Sequence, residues 1–250
     1  MKFFQRKKSH DGETLDSMRI LDDSTPFTIK EAFRTLYMNI LYLPIEDKTK
    51  KIAITSAFPG EGKTYTSTNL AITISQNSDN RRVLLIDMDM RKSSISKILD
   101  KHVKDADCKA GLSEYLTGIT DEPNIIQTNF RNLFVLFAGA DCVNPAGLIT
   151  SKKFENFLKD CESKYDYIII DTPPVMLVSD AALLVGKVNG FLLSARQGRS
   201  TTRALSDAYN SLVNVGAQIF GVVFTDENIK TRKRYSNYNN YSDYSSYGNG

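Results

Sequence analysis

Residues 52–70 read IAITSAFPGEGKTYTSTNL, which is an apolar run, a turn rich in proline and glycine, and a helix-forming run opened by Lys63 and Thr64. A strand followed by a glycine loop and then a helix is the context that a phosphate-binding P-loop requires. This stretch decides the fold prediction, because the remaining strands and helices can be arranged around one strand–loop–helix unit.

The residue types in this loop suit a phosphate ligand. Gly60 and Gly62 can adopt backbone angles closed to other residues, so that successive N–H groups turn inward. The helix start adds free N–H groups, Lys63 adds a charge, and the Thr64 hydroxyl can ligate Mg²⁺. We therefore predict that the nucleotide is bound by Pro59, Gly60, Glu61, Gly62, Lys63, Thr64 and Tyr65.

One position departs from the usual GxxxxGK[ST] pattern, because Ala57 occupies the place of the first glycine. We expect the alanine to be tolerated, since Gly60 and Gly62 keep the turn open. The alternative interpretation is an ordinary strand-to-helix turn whose lysine is solvated. The position of the motif between a strand and a helix favours the nucleotide site.

Composition limits the classes of function. With 250 residues, of which 41% are hydrophobic, the chain can bury a full core as one α/β domain. The net charge of only +3 gives no global basic field, so we predict no nucleic-acid partner. Three scattered cysteines and two histidines form no metal or disulfide framework, which suits a reducing cytoplasm.

The N-terminal stretch MKFFQRKKSHDGE has a basic start but no apolar segment behind it, so it does not resemble a signal peptide. No run approaches the roughly 20 apolar residues that cross a bilayer. We predict a flexible arm over residues 1–27 and a cytoplasmic protein. If it works at the inner face of the plasma membrane, a partner must recruit it.

A helix is predicted ahead of the first strand. Thr28 can cap it with Glu31 three residues on, and Pro44 stops it. The apolar residues near one face are Ala32, Leu36, Ile40 and Leu43. Such a helix must pack on the domain or on a neighbouring subunit.

Strand and helix patterns then alternate along the chain. Strands are predicted at 83–87, 133–138, within 165–174, at 191–195 and at 219–224, and helices at 150–162, after Ser179 or Asp180, and at 201–215. Only a short helix near 111–116 is readable between 92 and 132. Alternation of this length implies right-handed βαβ units. We predict an α/β P-loop NTPase fold over residues 28–226, with a mostly parallel central sheet and helices on both faces.

Aspartates follow two of the apolar strands. Asp87 and Asp89 leave one strand and Asp171 leaves another, at the edge where an open parallel sheet forms its ligand crevice. Phosphoryl transfer needs a bridging cation, ligands for it, and a group that accepts or orients the proton of the nucleophile. We predict Lys63, Asp87 and Asp89 as catalytic and Thr64, Asp87 and Asp171 as Mg²⁺ ligands. The alternative is that each aspartate merely caps a turn.

The C-terminal segment changes character. Residues 227–250 contain little to bury and are predicted to be disordered, with five of the 12 tyrosines spaced three apart. Residues 226–250 would have a coil dimension of roughly 25–30 Å and an extended limit near ~80 Å, enough to reach a neighbouring subunit. The predicted phosphoacceptors are Tyr235, Tyr238, Tyr241, Tyr244 and Tyr247. The alternative is a low-complexity end that promotes weak self-association.

Together, AFPGEGKT, VLLIDMDMR, IIIDTPP and the tyrosine cluster resemble the bacterial tyrosine kinases of capsule and exopolysaccharide assembly. The resemblance places Lys63 and Thr64 in Walker A, Asp87 and Asp89 in Walker A′, and Asp171 in Walker B. It implies ATP and Mg²⁺ as cofactors and autophosphorylation in trans within a ring-shaped, octameric homo-oligomer. It also implies a membrane-anchored modulator of the polysaccharide co-polymerase type and a tyrosine phosphatase as partners.

The sequence departs from that family at two places. The oligomer helix of the family carries ExxRxxR, and this chain has Glu31 and Arg34 but Tyr37 in place of the second arginine. Glu31 and Arg34 remain the predicted oligomer contacts. After Walker A′ the family continues into Arg-Pro, whereas Arg91 is followed here by Lys92 and Ser93.

The competing prediction is an ATPase switch of the ParA/MinD type, which shares the fold and similar aspartates. Those proteins carry a signature lysine five residues before the main P-loop lysine, where this chain has Phe58. Phe58 and the tyrosine cluster favour the kinase. An ATP-dependent scaffold with little transfer activity is a further alternative.

Overall fold

The computed structural model describes residues 20–22, 24–77, 80–103 and 110–225. The seven strands found there are β1 (Lys50–Ser56), β2 (Val83–Asp87), β3 (Ile126–Gln127), β4 (Leu133–Leu136), β5 (Tyr167–Asp171), β6 (Gly190–Arg196) and β7 (Ile219–Thr225). The helices are α1 (Phe27–Leu41), α2 (Lys63–Asn77), α3 (Ile95–Leu99), α4 (Leu112–Thr117), α5 (Pro145–Ile149), α6 (Lys152–Glu162) and α7 (Thr202–Val213). The predicted phosphoacceptor tyrosines and most of the predicted N-terminal arm, namely residues 1–19 and 23, lie outside the described residues.

The strands form one sheet in the order β3-β4-β2-β5-β1-β6-β7. Every neighbouring pair is parallel except β3 and β4, which are antiparallel. The predicted mostly parallel α/β sheet is confirmed. β3 was missed because a two-residue strand is too short to produce a readable pattern.

Side chains of the central strands alternate between two buried faces. On one face Ile168 and Ile170 pack with Phe154 and Phe157 of α6 and with α7, while on the other Ile169 packs with residues of α1 and α2. Burial on both faces explains why these strands read as continuous apolar runs rather than as alternating ones. The sheet ends therefore supply the edge where polar side chains of neighbouring strands can meet.

Helix α1 forms where it was predicted, but its start differs. It begins at Phe27 after Pro26, and no side chain caps it, so the predicted cap at Thr28 is wrong. Proline fits the start of a helix because its missing N–H has no helical partner there. The Glu31 carboxylate instead accepts a hydrogen bond from Arg34 Nη1 at 2.6 Å on the exposed surface.

Tyr37, the residue that interrupts the ExxRxxR pattern, is buried against the sheet. Its ring lies edge-on to the ring of Tyr167, with 6.4 Å between centroids. The position therefore faces the core of this chain, and an apolar ring suits it better than a guanidinium would. Glu31 and Arg34 stay on the surface as predicted contacts.

The helix predicted at 150–162 is confirmed as α6, which Ser151 caps by accepting a hydrogen bond from Phe154 N at 3.2 Å. The short helix α5 before it, which Asn144 and Pro145 open, was not predicted. The helix predicted after Ser179 or Asp180 needs correction. After Asp180 there is only a 3₁₀ turn at Ala182–Leu184. The Asp180 carboxylate does not cap a helix, since it pairs with an arginine described below.

None of the helices in the described part of the chain combines the length and the apolar character that crossing a bilayer demands.

Candidate active site

The P-loop connects the end of β1 to the start of α2. Gly60 and Gly62 have φ angles of +78° and +87°, which confirms the predicted need for glycine at both positions. A Cβ atom added to Gly62 would come within 2.6 Å of Thr225 Oγ1 on β7. Gly62 is therefore fixed both by its backbone angle and by the close approach of a neighbouring strand.

Glu61 holds the P-loop in place through its carboxylate and its carbonyl oxygen. Its carboxylate accepts hydrogen bonds from Phe58 N at 2.9 Å and from Ser200 Oγ at 2.5 Å. Its carbonyl oxygen accepts from Ser194 Oγ at 2.6 Å and from Thr225 Oγ1 at 3.1 Å. These contacts occupy the side chain, so that only the backbone N–H of Glu61 remains suited to the predicted phosphate contact.

The other predicted loop residues divide into two groups. Pro59 and Gly60 lie exposed at the tip of the loop. The ring of Tyr65 packs edge-on against Phe33 of α1, with 5.6 Å between centroids. A predicted nucleotide contact of Tyr65 would therefore come from its backbone, at the amino end of α2.

The sheet brings the predicted aspartates together with Lys63. Asp87 and Asp171 are direct partners in the register of β2 and β5. Lys63 Nζ lies 2.9 Å from Asp89 Oδ2 and 3.7 Å from Asp171 Oδ2, and all three residues are buried. The P-loop lysine and the carboxylates of two strand ends thus share one site.

The electrostatics of this cluster follow from burial. The pKa of Asp87 is raised to about 7, first by burial and then by the neighbouring Asp171, against a hydrogen bond from Ser93 Oγ at 2.8 Å that lowers it. Burial also raises the pKa of Asp171, against the effect of Lys63. For Lys63, burial opposes the charge, but Asp171 and Asp89 outweigh it, so that its pKa is raised. Lys63 remains a cation.

The donor set fits a magnesium ion shared with phosphates. Both carboxylate oxygens of Asp171 are buried without a hydrogen-bond partner, and the hydroxyls of Thr64 and Ser67 lie near enough to favour its charged form. A buried carboxylate whose oxygens accept no hydrogen bond is a natural cation ligand. Among the described residues no group of three or more acidic, histidine or cysteine side chains is arranged to hold a metal alone. Mg²⁺ commonly relies instead on one or two carboxylates, waters and substrate phosphates.

Asp87 makes the stability of the metal-free protein depend on pH. Its pKa of about 7 in the folded chain exceeds its ordinary value of 3.8, so below pH 7 the folded state binds more protons than the unfolded state. The stability that this extra proton binding contributes is lost as pH rises through 7. We expect Asp87→Asn to raise the melting temperature relative to wild type, by roughly 5 °C or more at pH 8 and by less at pH 5. Thermal unfolding followed by circular dichroism at both pH values tests this. An equal shift at both would contradict it.

Sequence reasoning missed several partners of the site. Ser200 and Thr225 hold the P-loop, and Ser93 orients Asp87. These residues lie far from the motifs or outside any regular pattern, so only the fold brings them together. Ser93 carried one usable signal, because it lies in the segment after Arg91 where the sequence departs from the family pattern.

The comparisons with known proteins agree with this site. A family model described as an AAA domain matches residues 49–189. Tyrosine-protein kinase CpsD of Streptococcus pneumoniae serotype 4 is 36% identical over 201 residues, which cover 79% of this chain and 86% of CpsD. The chain belongs to the bacterial tyrosine kinases. The resemblance inferred from the four sequence motifs is therefore confirmed.

Solved structures place this bacterial tyrosine kinase beside others of its family. The kinase domain of Escherichia coli ETK aligns with a TM-score of 0.74 at 30% identity, over 88% of this chain and 82% of that one. The chimerical protein CapA2B2 aligns with a TM-score of 0.71 at 31% identity, over 80% of this chain and 85% of that one. The predicted P-loop NTPase fold is confirmed.

The competing class also shares the fold. MinD from Pyrococcus horikoshii, solved with Mg-ADP, aligns with a TM-score of 0.57 at 26% identity over 70% of each chain. This likeness is weaker than that to the kinase structures. Both kinds of relative imply that the bacterial tyrosine kinase described here binds ATP.

Proposed function

We propose that this protein is an ATP-dependent protein-tyrosine kinase that phosphorylates its own C-terminal tyrosine cluster in trans and regulates the synthesis and export of capsular or extracellular polysaccharide. The observation that carries the proposal is the contact of Lys63 with Asp89 and Asp171 beside a P-loop. Membership of a family whose relatives are named tyrosine-protein kinases supports the choice of acceptor.

The P-loop binds the triphosphate in this proposal. Backbone N–H groups of residues 60–65 and the amino end of α2 face the phosphates, and Lys63 neutralises the γ-phosphate. Thr64, Asp87 and Asp171 would hold Mg²⁺. When bound, the ion supplies positive charge to the phosphate oxygens. Because Lys63 contacts carboxylates in the structure, its ammonium exchanges one of them for a phosphate when ATP binds.

Two aspartates are proposed to receive the proton of the acceptor. The phenolic oxygen attacks the γ-phosphorus, the bond from that phosphorus to the β–γ bridging oxygen breaks, and ADP leaves. The phenolic proton passes to Asp87 or Asp89. A general base is most effective when its pKa lies near the operating pH. Asp87 meets this condition only where it does not ligate Mg²⁺, since the ion would lower the pKa of about 7 that Asp87 has in the metal-free chain.

The partners follow from the family rather than from any contact in the structure. We propose a membrane-anchored modulator that recruits the kinase to the inner face of the plasma membrane, and the name of the CapA2B2 chimera, which joins two polypeptides, supports such a pairing. Self-association through the exposed Glu31–Arg34 face of α1 would bring a tail to a neighbouring site. A tyrosine phosphatase would reverse the reaction.

The proposal is tested by incubating the purified full chain with Mg-ATP and the cytoplasmic segment of its modulator. Tail phosphotyrosine is then measured by mass spectrometry, together with ADP release. We expect ADP release matched by phosphate on the tail. ADP release with an unmodified tail would overturn the kinase proposal and favour the ParA/MinD-type switch or the ATP-dependent scaffold.

A further inference from the structure

An arginine–aspartate pair outside the predicted site joins two of the loops around it. Arg91 Nε donates to Asp180 Oδ2 at 2.8 Å, and Arg91 Nη2 donates to Asp180 Oδ1 at 3.2 Å. The Asp180 side chain is 1% exposed, whereas that of Arg91 is 41% exposed. Two parallel charge-assisted bonds fix both the distance and the orientation of the groups that they join.

The arginine belongs to the turn that carries Asp89. Lys92 N donates to Asp89 Oδ1 at 3.0 Å and to the Asp89 carbonyl oxygen at 3.2 Å, so residues 89–92 form one compact turn. The other carboxylate oxygen of Asp89 contacts Lys63. A displacement of Arg91 would therefore be transmitted to the contact between Asp89 and Lys63.

The aspartate ends the segment that leaves β5. This segment starts at Asp171, and it is attached to the beginning of the P-loop by Val175 N donating to the Ser56 carbonyl at 2.9 Å and Met176 N donating to the Ala57 carbonyl at 3.4 Å. At the other end of the segment, the Asp180 carboxylate accepts hydrogen bonds from Arg91. The P-loop, the segment after β5 and the turn after β2 thus form one connected frame around the carboxylates.

We propose that Arg91 and Asp180 are positioning residues for phosphoryl transfer, because their paired hydrogen bonds hold the Asp89 turn and the segment after Asp171 at a fixed separation around Lys63. The inference rests on the proposed kinase function. Neither residue contacts the P-loop glycines or Lys63 in the structure. Their loss should therefore act on the chemical step and leave nucleotide affinity almost unchanged, since a displacement of about 1 Å can cost about 100-fold in rate.

A purely structural role makes a different prediction. If the pair only stabilised the fold, the melting temperature would fall and the rate of the remaining folded enzyme would not change. Arg91→Lys separates the two roles, because lysine keeps the positive charge beside the buried carboxylate but cannot form the two-bonded fork. Asp180→Asn removes the buried charge and therefore avoids leaving an unpaired ion.

The experiment compares the full chain carrying Arg91→Lys, Arg91→Ala, Asp180→Asn or both Arg91→Ala and Asp180→Asn. Tail phosphorylation is followed at increasing ATP concentration, and nucleotide affinity is measured with a fluorescent ATP analogue. A matched control is Arg203→Ala on α7, whose pair with Asp207 is exposed and 3.9 Å long. We expect Arg91→Lys and Asp180→Asn to lower kcat about tenfold or more with KM for ATP within about twofold. The control should match wild type.

The double variant decides whether the two residues act through each other. We expect it to be no slower than the slower single variant, because residues that act as one unit are not additive. Wild-type kcat in Arg91→Lys, a loss confined to KM, or losses that multiply in the double variant would each overturn the inference. If Arg91→Ala does not fold, the kcat values of Arg91→Lys and Asp180→Asn still test the positioning role.

Failure of the kinase proposal would give a different result, because the tail of the wild-type protein would then carry no phosphotyrosine. The same variants are then compared by ADP release in ATP hydrolysis, which uses the same P-loop and aspartates. An unchanged hydrolysis rate in Arg91→Lys would overturn the positioning role there as well, and a tenfold loss at unchanged nucleotide affinity would support it.

Discussion

Lys63→Met is expected to lower tail phosphorylation about 100- to 1000-fold, the range observed when one preorganised group that stabilises a developing charge is removed. The ammonium of Lys63 reaches Asp89 and Asp171 in the structure, and it is the group that we assign to the γ-phosphate. Methionine keeps a flexible chain of similar length but provides no charge. The measurement is the initial rate of tail phosphotyrosine formation at saturating ATP.

The folded state of Lys63→Met should survive, although its site changes. Without the cation, Lys63 no longer lowers the pKa of Asp171, which burial already raises, so that this carboxylate binds a proton rather than forcing the chain to unfold. Lys51→Met is the matched control, since Lys51 lies at the opposite end of β1 and pairs with Glu162 on α6. That variant should keep wild-type activity. Undiminished phosphotyrosine in Lys63→Met would refute the P-loop assignment.

Replacing all five tail tyrosines by phenylalanine is expected to reduce autophosphorylation to background while leaving ATP affinity unchanged. The change removes the phenolic oxygens of Tyr235, Tyr238, Tyr241, Tyr244 and Tyr247 and keeps their aromatic rings. The predicted nucleotide contacts lie in residues 59–65, so binding of a fluorescent ATP analogue should not respond. A clear fall in that affinity would mean that the tail forms part of the nucleotide site.

Tyr42 provides the control for the tail variant. Among the described tyrosines it has the most exposed side chain, at 77%, and it lies at the end of α1. If exposure alone selected acceptors, Tyr42→Phe would lower total phosphotyrosine, and the tail variant would keep a signal at Tyr42. We expect neither result, because an acceptor on a helix end lacks the reach of a long tether.

The sheet and the core of the site were predictable because their signals are local. Gly60 and Gly62 are dictated by backbone angles, and the apolar runs that end in Asp87 and Asp171 are dictated by burial on both faces of a parallel sheet. The strand order follows from neither signal. Parallel sheets nevertheless gather strand ends at one edge, so the meeting of the aspartates with Lys63 was predictable without it.

The two mistaken predictions of helix caps share a physical cause, which is competition for a polar side chain. Glu31 and Asp180 each match a local capping pattern, but a nearby guanidinium offers a charge-assisted bond to both carboxylates. In the same way, Glu61 belongs to the P-loop motif by sequence, while its carboxylate is taken by Ser200, 139 positions away. A sequence pattern names the capable groups but not the partner that they finally contact.

Thr225, the last described residue before the tyrosine cluster, is held against the P-loop. Its hydroxyl bonds to the Glu61 carbonyl, so the chain departs toward its acceptors from a point fixed beside the nucleotide loop. Tyr235 is 10 positions further on and Tyr247 is 22, which sets maximum spans of about 35 Å and about 75 Å. Effective concentration falls with tether length once the target is within reach. The five proposed acceptors would therefore form a molecular ruler, on which the distance to a neighbouring site would select the tyrosine that is modified first.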